Sequence, residues 1–486
     1  MARKLHFIFL LSVVVIMVIS YQLFLNSESS LKHISPWTWK THYAFSPTNT
    51  TGNIPDIYFT ASKKPTKLNE TCAYFPQLFD IRIKNNYWQT QKTDNGNFNL
   101  FNAYLDRREG SVIRIIGTYS QLHPQDEFFC QLWYDNQQAP VIVPTEPLLW
   151  MFLAHWGADT NNFDHPYLIT CALTDTRVPT SVSLVGDPCD NATNNVKIFS
   201  TRVSTKKNFV VCVKGLSFPF EDKSARLAEW IELLNILGAE KIQFYEFSVD
   251  ANSKQILDYY SGLGRIEVTP LTLVGDVSNS PFLQSMYLHE KMIKRRLQEV
   301  IPYNDCLYKH IEEFKFAVLL DIDEVIVPVR NTWIELMRTL QEQTPRKSSY
   351  VARNVYFLDT HLHRHKYFQD IPRYMHMLQH VYRAQNYTKP GYFVKGFHDL
   401  GIVKALHNHY PFACLGACSS TEINTEWAQL QHYRADCVAE IGNCNSMTVN
   451  NVLDTRVWNF KDELIERVQT VFRDLQMFED QDQEYF

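Results

Sequence analysis

The sequence predicts a mixed α/β fold: a mostly parallel sheet with helices on both faces, preceded by a small β-rich domain and an N-terminal membrane anchor. Three observations predict it. Residues 206–327 alternate apolar strand-like runs with amphipathic helical stretches, the pattern of a helix-covered parallel sheet. Residues 72–200 carry only short strand-like runs broken by turn residues. Leu5 to Leu25 is an almost unbroken apolar run.

That apolar run follows Arg3 and Lys4 and ends at Asn26, Ser27 and Glu28. At ~1.5 Å per residue it can cross a ~30 Å hydrocarbon core. The preceding positive charges predict a cytoplasmic tail (residues 1–4), an uncleaved type II anchor (5–25) and translocation of all that follows. A cleaved signal peptide competes, with Val18 and Ser20 as a weak cleavage site, but the stretch exceeds the ~7–15 residues of a signal core. Residues 26–71, rich in Ser, Thr, Asn, Pro and Lys, read as a stem. Sequons at Asn49, Asn69, Asn191 and Asn386 agree with a luminal, glycosylated bulk, as does an even count of ten cysteines. Cys414, Cys418, Cys437 and Cys444 match no common zinc-finger spacing and predict two disulfides, of three possible connectivities.

The chain has 486 residues, 45% hydrophobic and 20% charged, with a formal charge of −5. Such composition excludes a disordered or collagen-like protein, and the length predicts two or three domains. A mildly acidic chain without a basic run offers little to a phosphate backbone, which argues against nucleic acid as a partner.

In the β-rich stretch (72–205) strands are expected at Ser111–Thr118, Phe128–Tyr134, Ala139–Val143, Tyr167–Leu173 and Val182–Val185. Asn208–Lys214 then reads as a buried parallel strand. Ala225–Leu237 reads as a helix with Leu227, Trp230, Ile231, Leu234 and Leu237 on one face, Arg226, Glu229 and Glu232 off it, and Gly238 at its end. Lys241–Phe247 (strand), Ser253–Tyr260 (helix), Ile266–Leu271 (strand) and one long helix over Pro281–Val300 follow. Phe316–Val327 closes the series as a single strand. Residues 471–486 read as an acidic tail.

Within that last strand, alternation would point Asp321 and Asp323 to the same side, near its carboxyl end, where ligands of such sheets bind. Two carboxylates there repel unless a cation joins them, and an oxygen donor set suits Mg²⁺ or Mn²⁺ bridging to a phosphate-bearing substrate.

Asp321-Ile322-Asp323-Glu324, followed by Val325-Ile326-Val327-Pro328, resembles the Asp-X-Asp-Glu-hydrophobic-Pro segment of glycosyltransferase family 92. The likeness extends over roughly residues 206–440: to Val211-Cys212-Val213-Lys214, Glu229-Trp230-Ile231-Glu232, Leu237-Gly238, Asp305-Cys306-Leu307, Lys395, Asn408-His409-Tyr410-Pro411 and His432-Tyr433-Arg434. The resemblance implies a GT-A fold (Rossmann-type) over 206–470 and Mn²⁺-dependent, inverting transfer from a nucleotide sugar. Its relatives imply UDP-galactose as donor and a glycan acceptor such as a glycoprotein N-glycan. A type II anchor with a stem looks like a Golgi-membrane transferase. In this reading Asp321 and Asp323 hold Mn²⁺ and His432 completes the coordination, while Lys395 and Arg434 contact donor phosphates. Lys214 and Glu246 lie near strand ends where the nucleoside would sit, and no spacing selects a general base among Asp359, Asp399, Glu422 and Glu426.

Two other classes stay open on sequence. A strand ending in Asp-Ile-Asp-Glu-Val also resembles the first motif of haloacid-dehalogenase-like phosphatases, although there it opens the core domain. A non-catalytic, lectin-like membrane protein is the third.

Overall fold

The structure, a computed structural model, describes residues 54–55, 58, 72–135, 137, 139–153, 163–329, 332–437 and 444–477. The expected cytoplasmic tail and anchor, nearly all of the stem, Asn49 and Asn69 lie outside them. Among the described residues no helix is long and apolar enough to cross a membrane.

Strand Lys207–Phe218 organises the larger α/β part. It takes Lys241–Val249 on one side and Phe314–Leu319 on the other, and Ile266–Pro270 extends the edge, all parallel. Beyond Phe314–Leu319 the sheet turns mixed. Lys395–Asp399 runs antiparallel between Phe314–Leu319 and Ser349–Ala352, and Ser420–Glu422 closes the far edge in parallel. The period of two along NFVVCVK decides which helix covers which face. Phe209, Val211 and Val213 share a core with Leu227, Trp230, Ile231 and Leu234. Val210 and Cys212 share the opposite one with Leu297, Val300 and Ile301. Helix Ser224–Leu237 ends where expected, with Gly238 left-handed (φ 112°), a conformation that glycine reaches without steric cost.

Four expectations need correction. The single helix over Pro281–Val300 is two, Pro281–Glu290 and Met292–His310, because Lys291 leaves the helical region (φ −107°, ψ 70°). Glu229 and Glu232, placed off the apolar face, are buried. Glu229 accepts backbone N–H bonds from Met377 and Leu378, and Glu232 accepts from Tyr260 and Arg265. The acidic strand is also two strands, Phe314–Leu319 and Glu324–Pro328, with a turn between them. Finally, the fold runs past residue 470: helix Lys461–Asp474 buries Leu464, Val468, Val471 and Phe472, a helical stripe that packs in the same core as Leu227 and Trp230.

In the β-rich part, Asn97–Asp106 is a long strand that sequence reading missed. It pairs with Trp88–Lys92, Val112–Tyr119 and Val196–Phe199. Its side chains are buried nearly throughout because both faces are covered. Phe98, Leu100, Ala103 and Leu105 fill the β-rich part's own core. Phe101 and Tyr104 join Trp88 in the core built on Val210, Cys212 and the helix Met292–His310. The hub of that contact is Asp305, fully buried, which accepts hydrogen bonds from Asn102, Tyr104 and Tyr245 at 2.6–2.7 Å. Five disulfides use all ten cysteines: 72–189, 130–171, 212–306, 414–418 and 437–444. The late four therefore pair with their sequence neighbours.

Candidate active site

The parallel strands deliver their carboxyl ends to a cavity of about 860 Å³. Leu320 to Asp323 leaves the sheet there as a tight turn, in which the Glu324 N–H donates to the Asp321 carbonyl (3.0 Å) and the Asp321 N–H donates back to the Glu324 carboxylate (3.1 Å). Asp321 and Asp323 thus reach the cavity from a turn rather than by strand alternation. Strand Ala428–Arg434 runs antiparallel to Glu324–Pro328 in a register that sets His432 opposite Glu324. A further bond from the Tyr433 N–H to the Asp323 carbonyl (2.8 Å) ties the turn to that strand.

Charge is compensated pair by pair. Lys214 Nζ lies 3.1 Å from Asp321 and 3.4 Å from Glu299. Lys395 Nζ lies 3.4 Å from Asp321 and 3.3 Å from Glu324, and donates to Asn408 Oδ1 at 2.8 Å. His432 bridges Asp323 (3.4 Å) and Glu324 (3.3 Å), with Asn354 3.1 Å from its Nδ1. Burial opposes ionisation of Asp321, but the two lysines outweigh it and hold the carboxyl well below its usual range. Burial likewise opposes charge on His432, yet Glu324 and Asp323 keep its pKa above the ordinary histidine value. Glu324, the most enclosed of the three acids, is pushed up by burial.

The sequence-derived residues divide. Lys214, Asp321, Asp323, His432 and Arg434 all line the cavity. Lys395 belongs to the cluster but sits beneath it, about 1% exposed: it is a counter-ion to Asp321 and Glu324, not a residue open to a ligand. Glu246 does not line this cavity. Strand alternation turns Phe247 into it and Glu246 away, onto Lys254 (3.0 Å). Asp359, Asp399, Glu422 and Glu426 are absent from the lining as well, which holds Glu221, Glu229, Glu299 and Asp436 instead. Reading by motif missed Lys223, Arg226 and Arg295, three more basic side chains on the wall. No motif could have found them, because they come from a helix entry, a helix flank and a separate helix. Asn191 and Asn386 are exposed.

Asp321, Asp323 and His432 present carboxylate oxygens and an imidazole nitrogen, a donor set that suits Mn²⁺. Asp321 faces its lysines and Asp323 faces His432, so an ion held by both acids would take over part of the compensation that these cations supply. A mixed α/β fold that gathers acids and basic side chains at strand ends places this cavity where ligands of such sheets bind.

The particular family follows from comparison with known proteins. The family model for glycosyltransferase family 92 matches residues 207–477, more than half of the chain, and the chain belongs to that family. No curated protein sequence matches it. Among solved structures, TarS 1-349 of S. aureus is similar at 12% identity over 57% of this chain and 73% of that one, with a TM-score of 0.21. Ferredoxin-NADP+ reductase from Plasmodium falciparum with 2'P-AMP follows at 12% identity over 46% and 84%, with a TM-score of 0.11. Neither likeness is close enough to carry an argument.

Proposed function

We propose that this glycosyltransferase moves galactose from UDP-galactose to a glycan acceptor, such as a glycoprotein N-glycan, with inversion and in a Mn²⁺-dependent manner, on a GT-A fold. The observation that carries the reading is the Asp321–Asp323 turn at the strand ends, facing one cavity with five basic side chains, Lys214, Lys223, Arg226, Arg295 and Arg434. A diphosphate is the substrate group that such a wall would neutralise. Asp321, Asp323 and His432 would hold the metal, and the chemistry Mn²⁺ supplies when bound is charge neutralisation on the departing diphosphate. Lys214 and Arg434 orient the donor, while Lys395 lies beneath as the counter-ion of Asp321 and Glu324. The type II anchor, luminal catalytic part and Golgi membrane complete the proposal, supported by the apolar run at 5–25 and the sequons.

Release of UDP by the purified full chain tests it. UDP-galactose is offered with Mn²⁺ and simple sugar acceptors, beside a panel of other UDP-sugars, with chelator and with Asp323→Asn as controls. Turnover of UDP-galactose that both controls abolish is expected; turnover of another UDP-sugar alone refutes the donor. The phosphatase reading needs the acidic motif to open the core, whereas here it follows three parallel strands.

A further inference from the structure

Beyond the donor cavity, we propose that Asp359, His376 and His380 form a binding site for a zinc-class transition-metal ion, which pins segment 359–380 to the cavity wall. Asp359 opens helix Asp359–His365; His376 opens the short helix His376–Gln379, and His380 follows it. The two histidines, four residues apart at the start and just past the end of that single turn, bring their rings together, with centroids 3.9 Å apart. Asp359 Oδ1 lies 2.9 Å from His380 Nε2 and 3.6 Å from His376 Nε2. One ligand atom from each of the three lies within 4.8 Å of the other two.

These approaches are ion-pair contacts that lack the alignment of a regular hydrogen bond. Asp359 Oδ1, His376 Nε2 and His380 Nε2 are each buried and without a hydrogen-bond partner, a costly condition for three polar atoms in one place. A shared cation removes that cost. Bonds of ~2.0–2.1 Å to a tetrahedral ion place ligand atoms roughly 3.3 Å apart, and the two observed separations bracket that value. The tautomer is set as a ligand requires. His380 Nδ1–H donates to the His376 carbonyl (2.6 Å), which leaves the Nε2 lone pair free for a metal. Two imidazoles and one carboxylate suit zinc rather than a hard cation such as Mg²⁺ or Ca²⁺.

The surroundings hold the ligands in place without an ion. The Glu229 carboxylate accepts from the Met377 and Leu378 N–H groups. Gln379 donates to the Phe368 and Ile371 carbonyls and accepts from the Phe368 N–H. The same short helix puts His376 and Met377 on the wall of the donor cavity. Fixing it therefore fixes one side of the cavity.

The test is metal content of the full chain, loaded with Zn²⁺ and dialysed against metal-free buffer. About one zinc per chain is expected in the wild type and in Asp323→Asn, with a drop to background in His380→Asn. X-ray absorption at the zinc edge of the wild type alone then reads the ligands and does not depend on the variant folding. Two imidazoles and a carboxylate oxygen are expected. Zinc at background in the loaded wild type, zinc fully retained in His380→Asn, or an edge spectrum without imidazole overturns the proposal. None of these readouts depends on sugar transfer.

Discussion

Replacing Lys395 by Met separates two roles that look alike in sequence. As a donor contact, the lysine would be dispensable for folding and essential for binding. Its position says otherwise: it is about 1% exposed, and its ammonium is shared by Asp321, Glu324 and Asn408. Asp321 keeps Lys214 at 3.1 Å after the change, whereas Glu324, itself almost wholly enclosed, is left with His432 at 3.3 Å, so the deficit falls mainly on Glu324. Removing one partner of a buried ion pair costs about 3–5 kcal/mol. With an unfolding entropy of ~2.1 cal/mol/K per residue, a unit of roughly 400 residues should lose about 4–6 °C in Tm. Differential scanning calorimetry in the absence of any donor or metal reads this directly. The double variant Lys395→Met with Glu324→Gln removes both charges and should recover at least half of the loss. A Lys395→Met protein that melts like the wild type yet no longer binds UDP in isothermal titration would refute the counter-ion assignment.

Three other outcomes follow from contacts away from the cavity. Asp305→Ala leaves the buried donors of Asn102, Tyr104 and Tyr245 without their acceptor; at about 1–3 kcal/mol each, the variant should lose at least ~3 kcal/mol in urea unfolding, and Asp305→Asn should lose less. Asp106 is opposed by burial but held below its ordinary pKa of 3.8 by Arg108 and Arg114. Its stabilisation is thus present above that value and lost as pH falls through the depressed one. Asp106→Asn should therefore flatten the fall of Tm below about pH 4; an unchanged acid limb counts against the assignment. Removing the Cys212–Cys306 disulfide, which closes a separation of 94 residues, should cost about 4–5 kcal/mol in the chain-entropy view, visible as a lower urea midpoint.

The parallel half of the sheet was legible because each of its elements carries its own signal. A continuous apolar run at Asn208–Lys214, a strand-like run at Lys241–Phe247 and a helical stripe closed by Gly238 need no distant partner to be recognised. The mixed half was not. Lys395–Asp399 is a short, polar strand (KGFHD) made stable by antiparallel pairing on both sides, with Gly396 backed directly onto the Tyr350 carbonyl. Nothing within the segment announces those neighbours. Burial of Glu229 and Glu232 was hidden for the same reason: a helical wheel shows which face is polar, not whether another element arrives with donors to meet it.

At the site, sequence alone determined that Asp321 and Asp323 emerge together after an apolar strand, and local spacing was enough, since a two-residue separation keeps them adjacent in strand or turn. The family to which the chain belongs was also written in short motifs that stay in order. Tertiary structure alone decided which charges face which. It set Lys395 beneath the carboxylates, turned Glu246 away, brought His432 across from Glu324 by strand register, and added Lys223 and Arg226 from the start of one helix and Arg295 from another. It also closed Asp359, His376 and His380 into one cluster. Electrostatic partnership falls off over a few ångströms, and distances of that order between remote residues exist only once the chain has packed.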